Sequence, residues 1–555
     1  MESSACISKI HRILNFLKKE MTGAELIAES LNEILDEDAV IYGVPGSPVT
    51  GIIDWFDKNS ENKYRGFVDY EELDMLRHLV GINSHGIPTI GIMKHSGFLT
   101  VQELMATLVN YELRSPFIIV VGDESGASSQ TGNDTRYLCD STKLIVVEPS
   151  LTNITECLTF CLEVSSQLRK PVVLRVIDSL VKGKQIINST TKEICFKLIT
   201  PAFNTKDYFA TEGLTRERYN QMTIMKKCIK SNLKLYSQLN RFYRKNGKFL
   251  VIASGNIVDK AINIAVNLDG LDFLEINTIN LLPEEKILEI LKHYNRVLIL
   301  ESWEPYLENK IRSLVQRYEL NEIIILGREE NQGKESFIIS EDIEDLSNDN
   351  LAFYLKAFNF ESLKDEKSIL LKSYKNYPFI TLENNNYVEI FRSFKRAAEE
   401  LKLEPCLSVS TGNTRYSVQN TEFEAMVKFM GPMGSEVWEL FGYLDFLPNY
   451  KKVAAGLVLG DYTFSHSAWK GVCTLDKYQN DTGRKVVTII IDNHGSLTTG
   501  GQSCQHPASL GQQFIKNWET RLIGTVKVND SNKTISAIKT MLDTSNNENI
   551  LIIEI

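Results

Sequence analysis

The chain has 555 residues, 43% of them hydrophobic and 24% charged, and a formal net charge of −10. That length exceeds what one hydrophobic core serves and points to three or four domains. The acidic balance argues against a nucleic-acid partner, whose phosphates call for a basic face, and no apolar run approaches the length needed to cross a bilayer.

In chain order, "MESSACISKIHRILNFLKKEM" reads as an amphipathic helix over 1–22; the charges inside it exclude a secretion signal. Over 23–190, apolar runs alternate with helix-like segments: "AVIYGVPG", "TIGIM", "FIIVVGD", "KLIVVEPS" and "PVVLRVID". Continuous β-branched runs read as strands buried on both faces, and their alternation with helices implies parallel sheets. A charged connecting segment over 191–245 leads to a second unit, 246–330, with "KFLVIASGN", "FLEINTINLLP" and "RVLILES". Residues 331–385, rich in Glu, Asn, Ser and Lys, read as a linker. A third unit, 386–555, carries "VAAGLVLGD", "VVTIIIDN" and the terminal "ILIIEI". The expected fold is α/β, with three doubly wound parallel-sheet domains.

Nine cysteines are present and no two form a C-x-x-C. Cys157 and Cys161 lie one helical turn apart, in phase with Leu158, Val164 and Leu168, and read as core thiols. An odd, unclustered set suits a reducing cytoplasm, and no zinc or iron–sulfur pattern is visible.

Two late segments carry the chemistry. "VLGDYTFSHS" and "IIIDNHGSLTTGG" are apolar runs that end in Asp461 and in Asp492-Asn493, followed by small residues. In open α/β sheets, ligands bind beyond the carboxyl ends of strands. There a helix N-terminus and a small-residue turn can face a phosphate. Asp461 and Asn493 offer one charged and one neutral oxygen donor, the kind Mg²⁺ takes alongside substrate phosphates. Each residue taken alone is also an ordinary cap of a helix or turn.

Together these segments resemble the thiamine pyrophosphate motif, and in detail that of the catalytic subunit of indolepyruvate ferredoxin oxidoreductases. The resemblance extends to "YGVPGSPVTGIID", "IGIMKHSGF", "VVGDESGASSQTGNDTRYL", "IVVEPS", "INTINLLPEEKI" and "VLILESWEPYLENKI", in the same order along nearly the whole chain. It implies bound thiamine pyrophosphate and Mg²⁺. The metal would be held by Asp461, Asn493 and the carbonyl of Gly495. The cofactor would contact Gly46 and Ser47, then Gly460, Asp461, Tyr462 and Thr463, then Asn493, Gly495, Ser496 and Leu497. By position, Glu72 would be the carboxylate that activates the aminopyrimidine ring, with Glu71 as the one-residue alternative. In a helix's first turn either Glu also suits the dipole. His95 and His466 match motif histidines and would serve the reaction as catalytic groups on the substrate side. Ser128, Ser129, Gln130, Asp134 and Arg136 form a polar loop in which Arg136 is either a substrate clamp or an interface residue. The implied substrate is a 2-oxo acid, and the implied assembly a homodimer or larger.

The sequence departs from that family in three places. It stops at "ILIIEI", where a cysteine-rich ferredoxin-like domain would follow, so no iron–sulfur cluster is expected in this chain. The expected chemistry is then decarboxylation to an enamine, followed by protonation, carboligation or acyl transfer. Electron delivery to a separate ferredoxin-like subunit is the alternative. Around Cys406, "PCLSVSTGNTRYS" replaces "CPGCPHR". The segment 432–452, "PMGSEVWELFGYLDFLPNYKK", is bulky where small residues would let backbone approach the cofactor. That last departure leaves a non-catalytic paralogue as a further alternative.

Overall fold

The computed structural model describes residues 12–14, 19–35, 39–60, 65–68, 71–123, 132–187, 192–194, 200–202, 204–208, 223, 226, 234–265, 268, 270–328, 351, 355, 386–410, 422–423, 425–430, 433–445, 447–448, 452–495 and 504–555. Contacts divide the chain into two units. One takes in residues up to 68 and 72–375, the other 69–71 and 376–555.

The first unit contains two sheets. Six parallel strands build the first: β1 (Val40–Gly43), β2 (Arg65–Phe67), β3 (Thr89–Lys94), β4 (Phe117–Asp123), β5 (Ile145–Val147) and β6 (Val172–Ile177). Their spatial order is β2-β1-β3-β4-β6-β5. Every residue of β4 is buried, because both faces are covered. Ile118 and Val120 enter one apolar cluster with the helices Gly23–Ile34 and Ile154–Leu168. Phe117, Ile119 and Val121 enter the other, with the helix Glu72–Asn83. The helix Gly23–Ile34 starts at a capping box, in which the backbone N–H of Glu25 donates to Thr22 Oγ1 (3.2 Å) and that of Thr22 to Glu25 Oε2 (2.8 Å).

The second sheet has β7 (Phe242–Tyr243), β8 (Phe249–Ala253), β9 (Leu271–Glu275), β10 (Arg296–Leu300) and β11 (Ile324–Leu326), ordered β7-β9-β8-β10-β11. Its edge strand β7 is antiparallel and the rest are parallel.

The second unit is built on β12 (Glu404–Val409), β13 (Val427–Phe429), β14 (Val453–Gly460), β15 (Val486–Asp492), β16 (Leu522–Lys527) and β17 (Ile550–Glu554). The order β13-β12-β14-β15-β17-β16, all parallel, repeats that of the first sheet strand for strand. Here too alternate residues feed clusters on opposite faces: Val458, Ile489 and Ile491 on one, Leu457, Leu459 and Ile490 on the other. Three doubly wound sheets are present as expected from the sequence; the two six-stranded ones are wholly parallel, and the five-stranded one carries the antiparallel edge strand β7.

One expectation is corrected. The N-terminal stretch read as a helix contains two short strands, Arg12–Leu14 and Lys19–Thr22. They pair antiparallel with Lys192–Ile194 and Lys184–Ile187. A strand forms where a partner strand supplies the backbone bonds, which local periodicity does not reveal. Cys157 and Cys161 are buried in the first core, as their phase implied, and burial pushes both thiols up. Among the described residues no helix is long and apolar enough to cross a membrane.

Candidate functional site

In the order 2-1-3-4-6-5, successive connections leave strands 1 and 3 in opposite directions. This opens a crevice beyond their carboxyl ends, the place where such sheets bind ligands. Both six-stranded sheets have this crevice, and the candidate residues gather at it.

In the first unit, β1 runs into the Val44–Ser47 turn. There the backbone N–H of Gly46 donates to Thr50 Oγ1 at 3.1 Å, and Ser47 is half-buried. His95 follows β3 directly and is fully buried at the start of the helix His95–Thr100. Glu72 opens the helix after β2 and is 8% exposed, whereas Glu71, just outside it, is half-buried. The Glu72 carboxylate lies across the turn that carries His95. A Cβ on Gly97 would stand 2.3 Å from Glu72 Oε1, so only glycine admits the carboxylate there. The fold thus brings Ser47, Glu72 and His95 to one edge of one sheet.

Arg136 resolves differently. It is fully buried and spends its donors on the Asp134 carboxylate, Glu301 Oε2 (2.7 Å), and the carbonyls of Ser302 (2.7 Å) and Glu304 (3.0 Å). Asp134 pays desolvation that would raise its pKa, but the Arg136 and Arg175 guanidinium groups outweigh it and hold the carboxyl below its usual value. Of the two roles open to Arg136, the geometry shows the interface one: it joins the first sheet's layer to the segment after β10. Ser128, Ser129 and Gln130 lie outside the described residues.

In the second unit, β14 ends at Gly460, whose N–H donates to Ser410 Oγ (3.1 Å) at the end of β12. Asp461 follows, 1% exposed. Its Oδ1 accepts the N–H of Tyr462 (2.7 Å), and its Oδ2 those of Asn493 (3.2 Å) and Gly495 (3.0 Å). These bonds tie the ends of β14 and β15 together. Burial, against those bonds, raises the Asp461 carboxyl, and neighbouring Asp492 adds to the rise. The turn after β15 holds His494 at φ +62° and Gly495 at φ +151°, the latter a conformation that favours glycine. This turn aims the Gly495 carbonyl back toward Asn493.

Exchanging the O and N of the Asn493 amide by a half-turn gives two placements, of which only the second satisfies every neighbour. In one, Nδ2 donates to the Tyr387 hydroxyl (3.0 Å), and Oδ1 faces the Asp461 oxygens and the Gly495 carbonyl with no donor between them. In the other, Nδ2 donates to Asp461 Oδ1 (3.2 Å), Asp461 Oδ2 (3.3 Å) and the Gly495 carbonyl, and Oδ1 accepts from Tyr387. Hydrogen bonding favours the second placement, with the amide N–H on those oxygens; the first, with oxygens of three residues facing one point, is the donor set a hard cation would need. The three metal ligands read from the sequence therefore meet. Among the described residues, no group of three or more His, Cys, Asp or Glu side chains could hold a metal ion, and a site of one carboxylate, one amide and one carbonyl is not such a group.

Tyr462 and Thr463 form the turn after Asp461. A π-helical stretch, Phe464–Ala468, continues it and carries His466, whose Nδ1 lies 3.2 Å from Ser467 Oγ. Such stretches often mark functional positions. Ser496 and Leu497 lie outside the described residues.

Within the bulky segment 432–452, the described helix Glu436–Asp445 turns Val437, Leu440, Phe441 and Leu444 into the core cluster that holds Leu457 and Leu459. These four side chains fill the core behind the strands, whereas Trp438 is 56% exposed. Glu436 in its first turn is fully buried. Oε2 accepts the Gly434 N–H (2.7 Å), Oε1 has no hydrogen-bond partner, and burial pushes the carboxyl up to about 7. Sequence reasoning missed Glu436, Gly97 and Tyr387. The Glu and Gly were readable as a carboxylate inside an apolar helix and a glycine early in one, but nothing local marks Tyr387.

No family model matches the chain. In sequence it is 22% identical over 518 residues to "Indolepyruvate oxidoreductase subunit IorA" of Archaeoglobus fulgidus, spanning 88% of this chain and 76% of that protein. The resemblance read from the motifs is thus a similarity along most of the chain. Among solved structures, it aligns with a 2-oxoglutarate:ferredoxin oxidoreductase from Magnetococcus marinus with 2-oxoglutarate, coenzyme A and succinyl-CoA bound (TM-score 0.45, 13% identity, 62% of this chain and 65% of that one). It also aligns with a split-gene transketolase described as an inactive β4 tetramer (TM-score 0.37, 12% identity, 60% of this chain and 96% of that one).

Proposed function

We propose that the protein is a thiamine pyrophosphate- and Mg²⁺-dependent enzyme that decarboxylates a 2-oxo acid. The observation that carries this is the convergence of Asp461, Asn493 and the Gly495 carbonyl at the carboxyl edge of β14 and β15. The sequence similarity to an indolepyruvate oxidoreductase subunit supports it.

Asp461, Asn493 and Gly495 hold the metal, and the turn residues Gly460, Tyr462 and Thr463, with Ser496 and Leu497, contact the diphosphate. The cofactor, when bound, supplies the carbon chemistry. Gly46 and Ser47 would add cofactor contacts, and Glu72 would hold a proton at a nitrogen of the aminopyrimidine ring. His95 and His466 move protons at the substrate. The working form is a homodimer or larger.

Two outcomes of decarboxylation are open to this site. The product is released or transferred without oxidation, or two electrons leave to a separate ferredoxin-like partner; the relative's oxidoreductase activity favours the second. The experiment is release of CO₂ from a panel of 2-oxo acids, with and without methyl viologen as a one-electron acceptor. Turnover with either condition supports the reading, and dependence on the acceptor assigns the oxidative outcome. A Glu72→Gln variant that retained full turnover would remove Glu72 from its role, and no turnover on any acid in either condition would leave a non-catalytic paralogue.

A further inference from the structure

We propose that Tyr387 is the positioning residue for the cation site: its hydroxyl sets the Asn493 amide, which turns over when the cation binds. The proposal rests on the reading of Asp461, Asn493 and Gly495 as metal ligands.

Tyr387 stands at the start of the helix Asn386–Glu400, 6% exposed, with its ring in the core cluster that also holds Phe391 and Ile491. Its hydroxyl lies 3.0 Å from the outer atom of the Asn493 amide in both settings. A phenolic hydroxyl donates or accepts, whereas each end of an amide does only one. Without a cation, Nδ2 bonds the Asp461 carboxylate and the Gly495 carbonyl, and Tyr387 donates to Oδ1. A cation among those oxygens cannot coexist with an N–H pointing at it. The amide must turn, placing Oδ1 on the cation and Nδ2 on Tyr387, which now accepts. The cation polarises the amide, so the bond to Tyr387 is stronger in the bound state than in the free one. That difference is a contribution to cation affinity, and phenylalanine makes it in neither state.

The test uses the full chain with thiamine pyrophosphate present and follows free Mn²⁺ by electron paramagnetic resonance. Mn²⁺ takes the same oxygen ligands as Mg²⁺. Wild-type protein binds it. Tyr387→Phe is expected to bind it roughly tenfold or more weakly, the usual cost of losing a group that orients a ligand, while its melting temperature without ligand falls by no more than the loss of one hydrogen bond accounts for. In an Asn493→Asp background Tyr387 donates to the outer carboxylate oxygen with and without the cation and no amide turns, so adding Tyr387→Phe is expected to cost clearly less affinity than in wild type. An equal loss in both backgrounds would mean that Tyr387 only supports the fold. Undiminished Mn²⁺ binding by Tyr387→Phe would overturn this proposal alone. Failure of the wild-type protein to bind Mn²⁺ would overturn the metal reading and this proposal with it.

Discussion

Gly97 and Glu72 form a pair whose geometry can be tested by adding one carbon. The carboxylate occupies the space a Cβ would need, 2.3 Å from Oε1. Gly97→Ala is therefore expected to displace Glu72 and to lower turnover at least tenfold, while leaving the second unit's Mg²⁺ affinity unchanged. Steady-state kinetics beside Mn²⁺ titration separate the two effects. Glu436 makes a second residue-scale case. Burial raises its carboxyl from 4.5 to about 7 in the folded state. Between those values the unfolded chain releases its proton while the folded chain keeps it, so stability falls as pH rises through that window and stays lower above it. Glu436→Gln keeps the acceptor for the Gly434 N–H and removes the titration. The variant is expected to be more stable than wild type at pH 8, by about 1–3 kcal/mol, and to match it near pH 4.5. Urea unfolding at both pH values measures this. Asp461 and Asn493 were readable as candidates because ligands of such sheets bind beyond the carboxyl ends of strands. Tyr387 was not, because its partner is more than a hundred residues away in sequence and the contact exists only in three dimensions.

At the scale of elements, the buried strands were legible and the others were not. β4, β14 and β15 are unbroken apolar runs because helices cover both faces. β2, β13 and β16 are short or partly exposed edge strands and carry no such run. β12 lies inside its sheet, yet opens with Glu404 and Pro405, which read as a break rather than a strand start. The role of Arg136 was likewise undecidable from its loop, since two of its acceptors are backbone carbonyls after β10. Replacing it strands several buried acceptors at once. Arg136→Ala is expected to lower stability by about 3–5 kcal/mol, read by urea unfolding. A change under about 1 kcal/mol would show that the network is not a structural joint.

At the scale of the molecule, two sheets share one strand order, and each sets its candidate residues at the corresponding crevice of its own sheet. Sequence alone showed three α/β units but not this repetition, because strand order depends on which edges pair and not on the runs themselves. The repetition explains why the candidate residues are spread from Ser47 to Asn493: each sheet contributes the residues that follow its own first few strands. The central claim is that the crevice of the second unit binds thiamine pyrophosphate through a divalent cation. It is tested most directly by the melting temperature of the wild-type chain and of Asp461→Ala, each with thiamine pyrophosphate and Mg²⁺ added together and separately. At a hundredfold excess over Kd a bound ligand adds about 2.7 kcal/mol. A rise of several degrees is expected for wild type only when both are present, and none for Asp461→Ala. No rise in wild type, or an equal rise in the variant, would contradict the claim.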